Sequence, residues 1–136
     1  MSARQNISSG TSWEALAGYS RAVRMGNVIE VAGTVAVDEN GSLFGASSPY
    51  KQAMYIFTKI ERALLSAGGT LQDVVRTRMY VTDIQRWEEV ARAHGEVFGA
   101  IRPASTLVEV KGLVAPEYLV EIEATAILKA LPPNLT

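Results

Sequence analysis

The sequence predicts an α+β domain of β-β-α-β-α-β-β order, with both helices on one face of a mostly antiparallel sheet. The first observation is the period-two alternation of apolar and polar residues over residues 105–111 and 119–128. The second is the helical period of the apolar residues that follow Pro49. The third is the length of 136 residues, which suits one domain with one core, spanning residues 1–136.

The N-terminal part of the chain predicts a tight hairpin after an irregular start. Residues 1–18 are rich in Ser, Gly and Ala, and we expect an extended entry segment there. Strands are predicted at residues 19–25 and 28–37, joined through Gly26-Asn27, a pair typical of β-hairpins. Gly33 lies inside the second strand and indicates a bulge or a close approach of another segment.

The first helix is predicted to begin at Ser48-Pro49 and to end at Gly68-Gly69. Ser48 is suited to the N-cap and Pro49 to the first helical position. The double glycine provides a left-handed residue for the helix end. The apolar stripe comprises Ala53, Phe57, Ile60 and Leu64.

A third strand over residues 73–82 and a second helix over residues 83–98 follow, with Asp83 as the expected N-cap. The predicted inner stripe of this helix comprises Trp87, Val90, His94 and Val97. His94 is the only histidine, and its place on an apolar face favours a hydrogen-bonded packing residue over a catalyst. One histidine argues against a histidine-based zinc site and a Ser-His-Asp triad, whereas a carboxylate-only site stays open. We expect neither a metal nor a cofactor.

The last two strands, over residues 105–111 and 119–128, are joined by a loop that contains Pro116. We expect the core side to carry Thr106, Val108, Val110, Val120, Ile122, Ala124, Ala126 and Leu128. The opposite side then carries Ser105, Leu107, Glu109, Lys111, Glu121, Glu123 and Thr125. If the strands are neighbours, Ser105 and Glu121 face the same cleft.

The sheet face without helices is predicted to be polar with apolar residues interspersed. Its expected members are Glu30, Thr34, Arg76, Arg78, Tyr80, Ser105, Leu107, Glu109, Glu121 and Glu123. One interpretation is a solvated face whose charges pair across strands. The other is a subunit interface, which the apolar Ala32 and Leu107 favour.

Composition narrows the function classes. The chain has 13 basic and 14 acidic residues and a net charge of −1, so no electrostatic attraction to nucleic acid or an anionic membrane is expected. The absence of cysteine excludes disulfides and thiolate nucleophiles. No signal peptide and no apolar run of membrane-spanning length are visible, and we expect a cytoplasmic protein.

Five segments together resemble one family. They are YSRAV from Tyr19, GNVIEVAG from Gly26, AGGTLQDVV from Ala67, YVTD from Tyr80, and the RPAST…VEIEA ending from Arg102. In this order and spacing, the chain is similar to the RidA/YjgF (Rid) family, also described as endoribonuclease L-PSP. The resemblance implies a chorismate-mutase-like fold and a homotrimer with a central barrel. It also implies that small-molecule ligands bind in clefts between subunits.

The family resemblance implies hydrolysis of reactive enamines and imines to 2-oxo acids and ammonia. It assigns cleft positions to Tyr19, Gly33 and Glu121, with Glu121 holding or activating the attacking water. In active members an arginine follows Pro-Ala and binds the substrate carboxylate, whereas Pro103-Ala104 is followed here by Ser105. Activity on 2-iminopropanoate is therefore expected to be near background.

Two further family positions differ, since Leu107 replaces a common cysteine and Ala91 a frequent asparagine. Arg102, Arg76 or Arg78 would have to supply a substitute cation. The alternative for these arginines is structural ion pairing with Glu30, Glu109 and Glu123.

The substrate-binding candidates are thus Tyr19, Gly33, Arg102, Ser105 and Leu107, with Glu121 as the catalytic candidate. Three functions remain open at this stage. The first is an imine or enamine deaminase acting on a small metabolite. The second is a non-catalytic binding or regulatory trimer. The third is a ribonuclease, which the lack of a basic cluster argues against.

Overall fold

In a computed structural model of the chain, which describes residues 4–129, six strands form one sheet and two long helices pack on one of its faces. The strands are β1 (Arg4–Ile7), β2 (Ala22–Met25), β3 (Val28–Thr34), β4 (Val74–Val81), β5 (Ala104–Glu109) and β6 (Val120–Ile127). The helices are the short α1 (Ser12–Ala17), α2 (Pro49–Ser66) and α3 (Trp87–Phe98), with 3₁₀ turns at Leu71–Asp73 and Ile84–Arg86.

The strand order across the sheet is β1-β2-β3-β6-β4-β5. Neighbouring strands are antiparallel except β4 and β5, which are parallel and are connected through α3. The predicted α+β class with a mostly antiparallel sheet is confirmed. One expectation is wrong: β5 and β6 are not neighbours, because β4 lies between them.

Helix α2 begins where the capping pattern predicts. The Ser48 hydroxyl accepts a hydrogen bond from the Lys51 N–H at 3.1 Å, and Pro49 occupies the first turn. The predicted stripe is buried in the core: Ala53, Phe57, Ile60 and Leu64. The helix ends at Ser66, and Gly68 adopts a left-handed conformation just after it (φ +92°).

Gln52 also lies on the buried side of α2 and fixes the start of β6. Its amide nitrogen donates to the carbonyls of Gly45 and Glu117, at 3.3 and 3.2 Å. Its side-chain oxygen accepts from the Leu119 N–H at 2.9 Å. A fully buried glutamine with these three partners attaches two loops to α2, and it holds the segment that leads directly into Glu121.

Two local predictions need correction. The start of the described chain is not one extended segment, since it forms β1 and α1. The loop between these two elements is held by the buried Glu14 carboxylate, which accepts hydrogen bonds from Ser8, Ser9 and Thr11. The second helix is preceded by a 3₁₀ turn capped by Asp83. Trp87 at its start is 49% exposed and does not belong to the inner stripe.

We call the side covered by α2 and α3 the helix face and the opposite side the outer face. The prediction for β6 is confirmed: its apolar row is buried on the helix face, and Glu121, Glu123 and Thr125 lie on the outer face. The prediction for β5 is inverted. Ser105 pairs in register with the fully buried Thr77, so Ser105 and Leu107 lie on the helix face and Thr106 and Val108 on the outer face.

Within residues 4–129, no helix is both long and apolar enough to cross a membrane.

Candidate functional site

The predicted irregularity at Gly33 is a β-bulge that separates two pairs in register with β6. Val31 pairs with Ala124 and Thr34 with Ile122, so an extra residue lies between them on β3. Because of the bulge, Thr34 turns into the core and is fully buried, which corrects its predicted place on the outer face. The bulge also opens the backbone toward β6.

Glu121 occupies the space beside this bulge. A Cβ built on Gly33 would overlap Oε2 of Glu121 and would lie 3.1 Å from its carboxyl carbon. Burial raises the pKa of Glu121, the Arg21 cation opposes that rise, and the Glu123 carboxylate adds to it. The carboxyl group is therefore partly withdrawn from water and better able to exchange a proton near neutral pH than an exposed glutamate.

Arg21 is the cation that contacts the bulge backbone directly. Only 7% of its surface is exposed, and its Nη2 donates to the Gly33 carbonyl at 2.7 Å. Its Nε is fully buried and has no hydrogen-bond partner within residues 4–129. No carboxylate of the described chain lies within ion-pair distance of it. Arg21 is thus a buried cation that lacks a counter-ion among residues 4–129.

Two further side chains surround Arg21. The Tyr19 ring is partly exposed, with its centroid 5.8 Å from the Arg21 guanidinium carbon. The Lys59 Nζ donates to the carbonyls of Val35 and Val37, at 2.8 and 2.7 Å, just after the bulge. Burial, together with the charges of Arg21 and Arg62, lowers the pKa of Lys59 to about 8. We call Tyr19, Arg21, Gly33 and Glu121 the Glu121 cluster.

Ser105 belongs to a different group on the helix face, the Ser105 chain, which consists of Ser105, Thr77 and His94. The Thr77 hydroxyl donates to the Ser105 oxygen at 2.7 Å and lies 2.9 Å from Nε2 of His94. Since Thr77 has one hydroxyl proton, the direction of these two bonds depends on the His94 tautomer: with the ring proton on Nε2, Thr77 donates to Ser105, and the Ser105 proton stays available for another acceptor.

Burial lowers the pKa of His94, which favours its neutral form. The ring packs between Phe57 and Phe98, with centroid distances of 5.9 and 4.8 Å. The expectation that His94 is a hydrogen-bonded packing residue is confirmed. It acts on Ser105 only through Thr77.

The other proposed ligand residues lie apart from the Glu121 cluster. Leu107 packs against the core beside its register partner Met79. Arg102 occupies the turn between α3 and β5 with a left-handed backbone (φ +58°), and its Nη1 donates to the Gly99 carbonyl at 3.4 Å. Their roles in ligand binding stay predictions.

Of the two arginines on the outer face, only Arg78 forms one of the ion pairs that were predicted as the structural alternative to ligand binding. Arg78 lies 3.7 Å from Glu123, which also accepts from Tyr80 at 3.1 Å. Arg76 instead donates to Thr106 at 2.6 Å. The predicted pairing with Glu30 and Glu109 is wrong, because Glu30 accepts from the Thr125 hydroxyl and Glu109 from the Ile84 N–H.

A groove of about 470 Å³ runs along the outer face beside Tyr19. Charged groups from four strands line it: Arg4, Glu30, Arg78 and Glu123. Within the described part of the chain, no cluster of three His, Asp or Glu side chains is arranged to hold a metal ion.

The Glu121 cluster and the Ser105 chain do not meet in one protomer. Ser105 lies on β5 and Glu121 on β6, with β4 between them, and their side chains leave the sheet on opposite faces. The expectation that Ser105 and Glu121 face the same cleft as neighbours is therefore wrong for a single chain.

Sequence reasoning missed Arg21, although it lies within the YSRAV segment that carried part of the resemblance. A charged residue at the beginning of a strand is normally exposed. Its position could have indicated its role. Arg21 lies two residues after Tyr19 and directly precedes β2, the strand that pairs with β3, which contains Gly33.

We predict that Gly33→Ala moves the Glu121 carboxylate without unfolding the protein. The Gly33 backbone has no positive φ, so alanine fits the strand, and the overlapping group is the end of a side chain that can rotate away. The free energy of unfolding should change by less than about 1 kcal/mol. Denaturant titration measures this, and a crystal structure of the variant should show Glu121 displaced.

Gly95→Ala is the matched control, because a Cβ on Gly95 in α3 has nothing within 4 Å. It should stabilise the helix by about 0.5–1 kcal/mol and leave Glu121 in place. A Gly33→Ala protein with Glu121 unmoved would contradict the close approach.

Comparison with known proteins places this geometry in a family. The family model described as Endoribonuclease L-PSP matches residues 10–128. The chain is 35% identical over 122 residues to an uncharacterised protein of Streptomyces coelicolor, covering 90% of each chain. It is 32% identical over 111 residues to the 3-aminoacrylate deaminase RutC of Acinetobacter baylyi, covering 82% of this chain and 87% of that one.

The crystal structure of a YjgF/YER057c/UK114 family member from Mycobacterium tuberculosis is also similar. It has 48% sequence identity and a TM-score of 0.84, over 92% of this chain and 99% of that chain. The resemblance derived from the five sequence segments is thereby confirmed, and with it the chorismate-mutase-like fold. The chain belongs to the RidA/YjgF family, whose matching family model bears the description endoribonuclease L-PSP.

Proposed function

We propose that this protein hydrolyses an imine or enamine of a small metabolite, with Glu121 as the group that moves the protons. The observation that carries the proposal is a partly desolvated carboxylate, held beside the Gly33 bulge and near a buried cation. The similarity to a 3-aminoacrylate deaminase supports an enamine or its imine tautomer as the substrate class.

The chemistry needs a base that can also act as an acid. Glu121 takes a proton from water as the water oxygen adds to the imine carbon, and the imine nitrogen gains a proton to give a carbinolamine. Glu121 then moves the hydroxyl proton to nitrogen, the C–N bond breaks, and ammonia and an oxo product leave. An enamine enters the same route after a proton moves from nitrogen to its β carbon.

We propose further that three copies assemble through their outer faces, so that the Glu121 cluster of one protomer meets the Ser105 chain of the next. In the protomer the edge strand β5 has one neighbour only, and Val75 and Val108 are exposed on the outer face. An open strand edge can pair with another chain, and exposed apolar residues beside it can pack in the same interface. The Ser105 hydroxyl would then donate to a ligand held beside Glu121.

Sedimentation velocity at micromolar concentration should report a trimer. Val108→Glu should shift the distribution toward monomer, because it places an unpaired charge in the interface. Leu65→Glu is the matched control, since Leu65 is an exposed apolar residue of α2, away from the outer face. A wild-type protein that stays monomeric under these conditions would contradict the shared cleft.

Glu121→Gln should lower imine hydrolysis by about a hundredfold or more, since general acid–base catalysis contributes about 10²–10⁴-fold. The assay generates 2-imino acids with an amino acid oxidase and follows their decay against the uncatalysed rate. A 3-aminoacrylate sample tests the enamine.

Glu123→Gln is the control: it removes a carboxylate two residues away on the same strand face, one that pairs with Arg78. The charge of Glu123 adds to the raised pKa of Glu121, so the variant should lower that pKa while keeping most of the wild-type rate. Wild-type protein that accelerates neither substrate would favour the non-catalytic binding trimer, for which the replacement of the family arginine by Ser105 is the supporting observation. Equal rates for wild type and Glu121→Gln would exclude Glu121 as the catalyst.

A further inference from the structure

Arg21 is the least explained charged group in the described chain. A guanidinium has five N–H donors, and a single hydrogen bond, from Nη2 to the Gly33 carbonyl, is formed here. Arg21 is only 7% exposed, and its Nε has no hydrogen-bond partner within residues 4–129. No carboxylate of these residues forms an ion pair with it.

A buried arginine without a counter-ion is energetically unfavourable. Removal of a cation from water is costly unless an anion or a set of acceptors replaces the lost hydration. The nearby Glu14 does not provide that anion, because its carboxylate is occupied by Ser8, Ser9 and Thr11. Glu121 acts on the site through its charge but is not within ion-pair distance of Arg21.

The surroundings select the kind of anion that fits. Lys59 adds a second positive charge near Arg21, which favours an anion, whereas Glu121 limits how much negative charge the site tolerates. A monoanion therefore suits the site better than a phosphate dianion. The planar fork of a guanidinium also matches a carboxylate, with which it forms paired hydrogen bonds.

We propose that Arg21 binds the carboxylate of the ligand, and so provides on the same protomer as Glu121 the cation that Ser105 no longer provides. The inference rests on the proposed function for the location of the ligand, and it makes Arg21 the residue that selects ligands with a carboxylate beside the reacting carbon. In this arrangement the carboxylate lies on the Arg21 side of the bulge, and the reacting carbon faces Glu121.

The test compares an acid with its isosteric amide, so that only the charge of the ligand changes. Calorimetric titration with 2-oxobutanoate and 2-oxobutanamide gives the ratio of their affinities for each variant. Wild-type protein should prefer the acid by about tenfold or more, because charge-assisted hydrogen bonds to a carboxylate are the strong ones. Arg21→Gln should bring the ratio close to one, and Arg21→Lys should retain part of the preference.

Arg24→Gln is the matched control. Arg24 lies on β2, which begins one residue after Arg21, and like Arg21 it donates to a backbone carbonyl, that of Ala67, at 2.9 Å. This variant should keep the wild-type ratio. The ratio itself is insensitive to partial misfolding, because loss of folded protein affects acid and amide equally.

Three results would overturn the inference. The first is equal wild-type affinity for acid and amide, or no binding of either. The second is an Arg21→Gln protein that binds both more weakly by the same factor, which would mark Arg21 as structural. The third is dissociation of the assembly with the acid preference unchanged, which would assign Arg21 to an interface ion pair. An acid preference that depends on Arg21, in a protein with no Glu121-dependent turnover, would support the carboxylate site and reject only the proposed hydrolysis.

Discussion

The bulge of β3 at Gly33 is the constraint on which the candidate site depends. One extra residue between the pairs Val31–Ala124 and Thr34–Ile122 returns Thr34 to the core and exposes the Gly33 carbonyl to Arg21. The missing side chain of Gly33 leaves the space that the Glu121 carboxylate fills. A regular strand would direct a side chain into that space, and neither the desolvation of Glu121 nor its proximity to a cation would arise.

The sheet order then determines how the polar groups can act together. Since β6 lies between β3 and β4, Glu121 is held against the bulge from one side and against Tyr80 from the other. Ser105 is separated from it by β4 and by the thickness of the sheet. A site that uses both groups therefore needs a second copy of the chain, whereas a site built on Arg21 and Glu121 exists within one protomer. On the proposed assignment, Arg21 would recognise an anion in a chain that has a serine at the position of the family arginine.

The sequence predicted those parts of the fold that are governed by local patterns. The cap at Ser48, the stripe of α2, the apolar row of β6 and the bulge at Gly33 each follow from nearby residues and are confirmed. The orientation of β5 was missed because both of its faces mix apolar and polar residues, so only its parallel pairing with β4 determines which side Ser105 occupies. Arg21 was missed because its burial arises from contacts distant in sequence.

The coupling of the bulge, the carboxylate and the buried cation can be measured by a side-chain NMR titration of Glu121, in protein labelled with ¹³C at the glutamate carboxyl carbons and assigned by comparison with Glu121→Gln. We expect the pKa of Glu121 to lie above the ordinary value for glutamate, because burial beside Gly33 disfavours the charged form more than Arg21 favours it. Arg21→Gln should raise that pKa further. A Glu121 that titrates like a solvent-exposed glutamate, and does not respond to Arg21→Gln, would contradict the claim that the bulge, the carboxylate and the buried cation form one site.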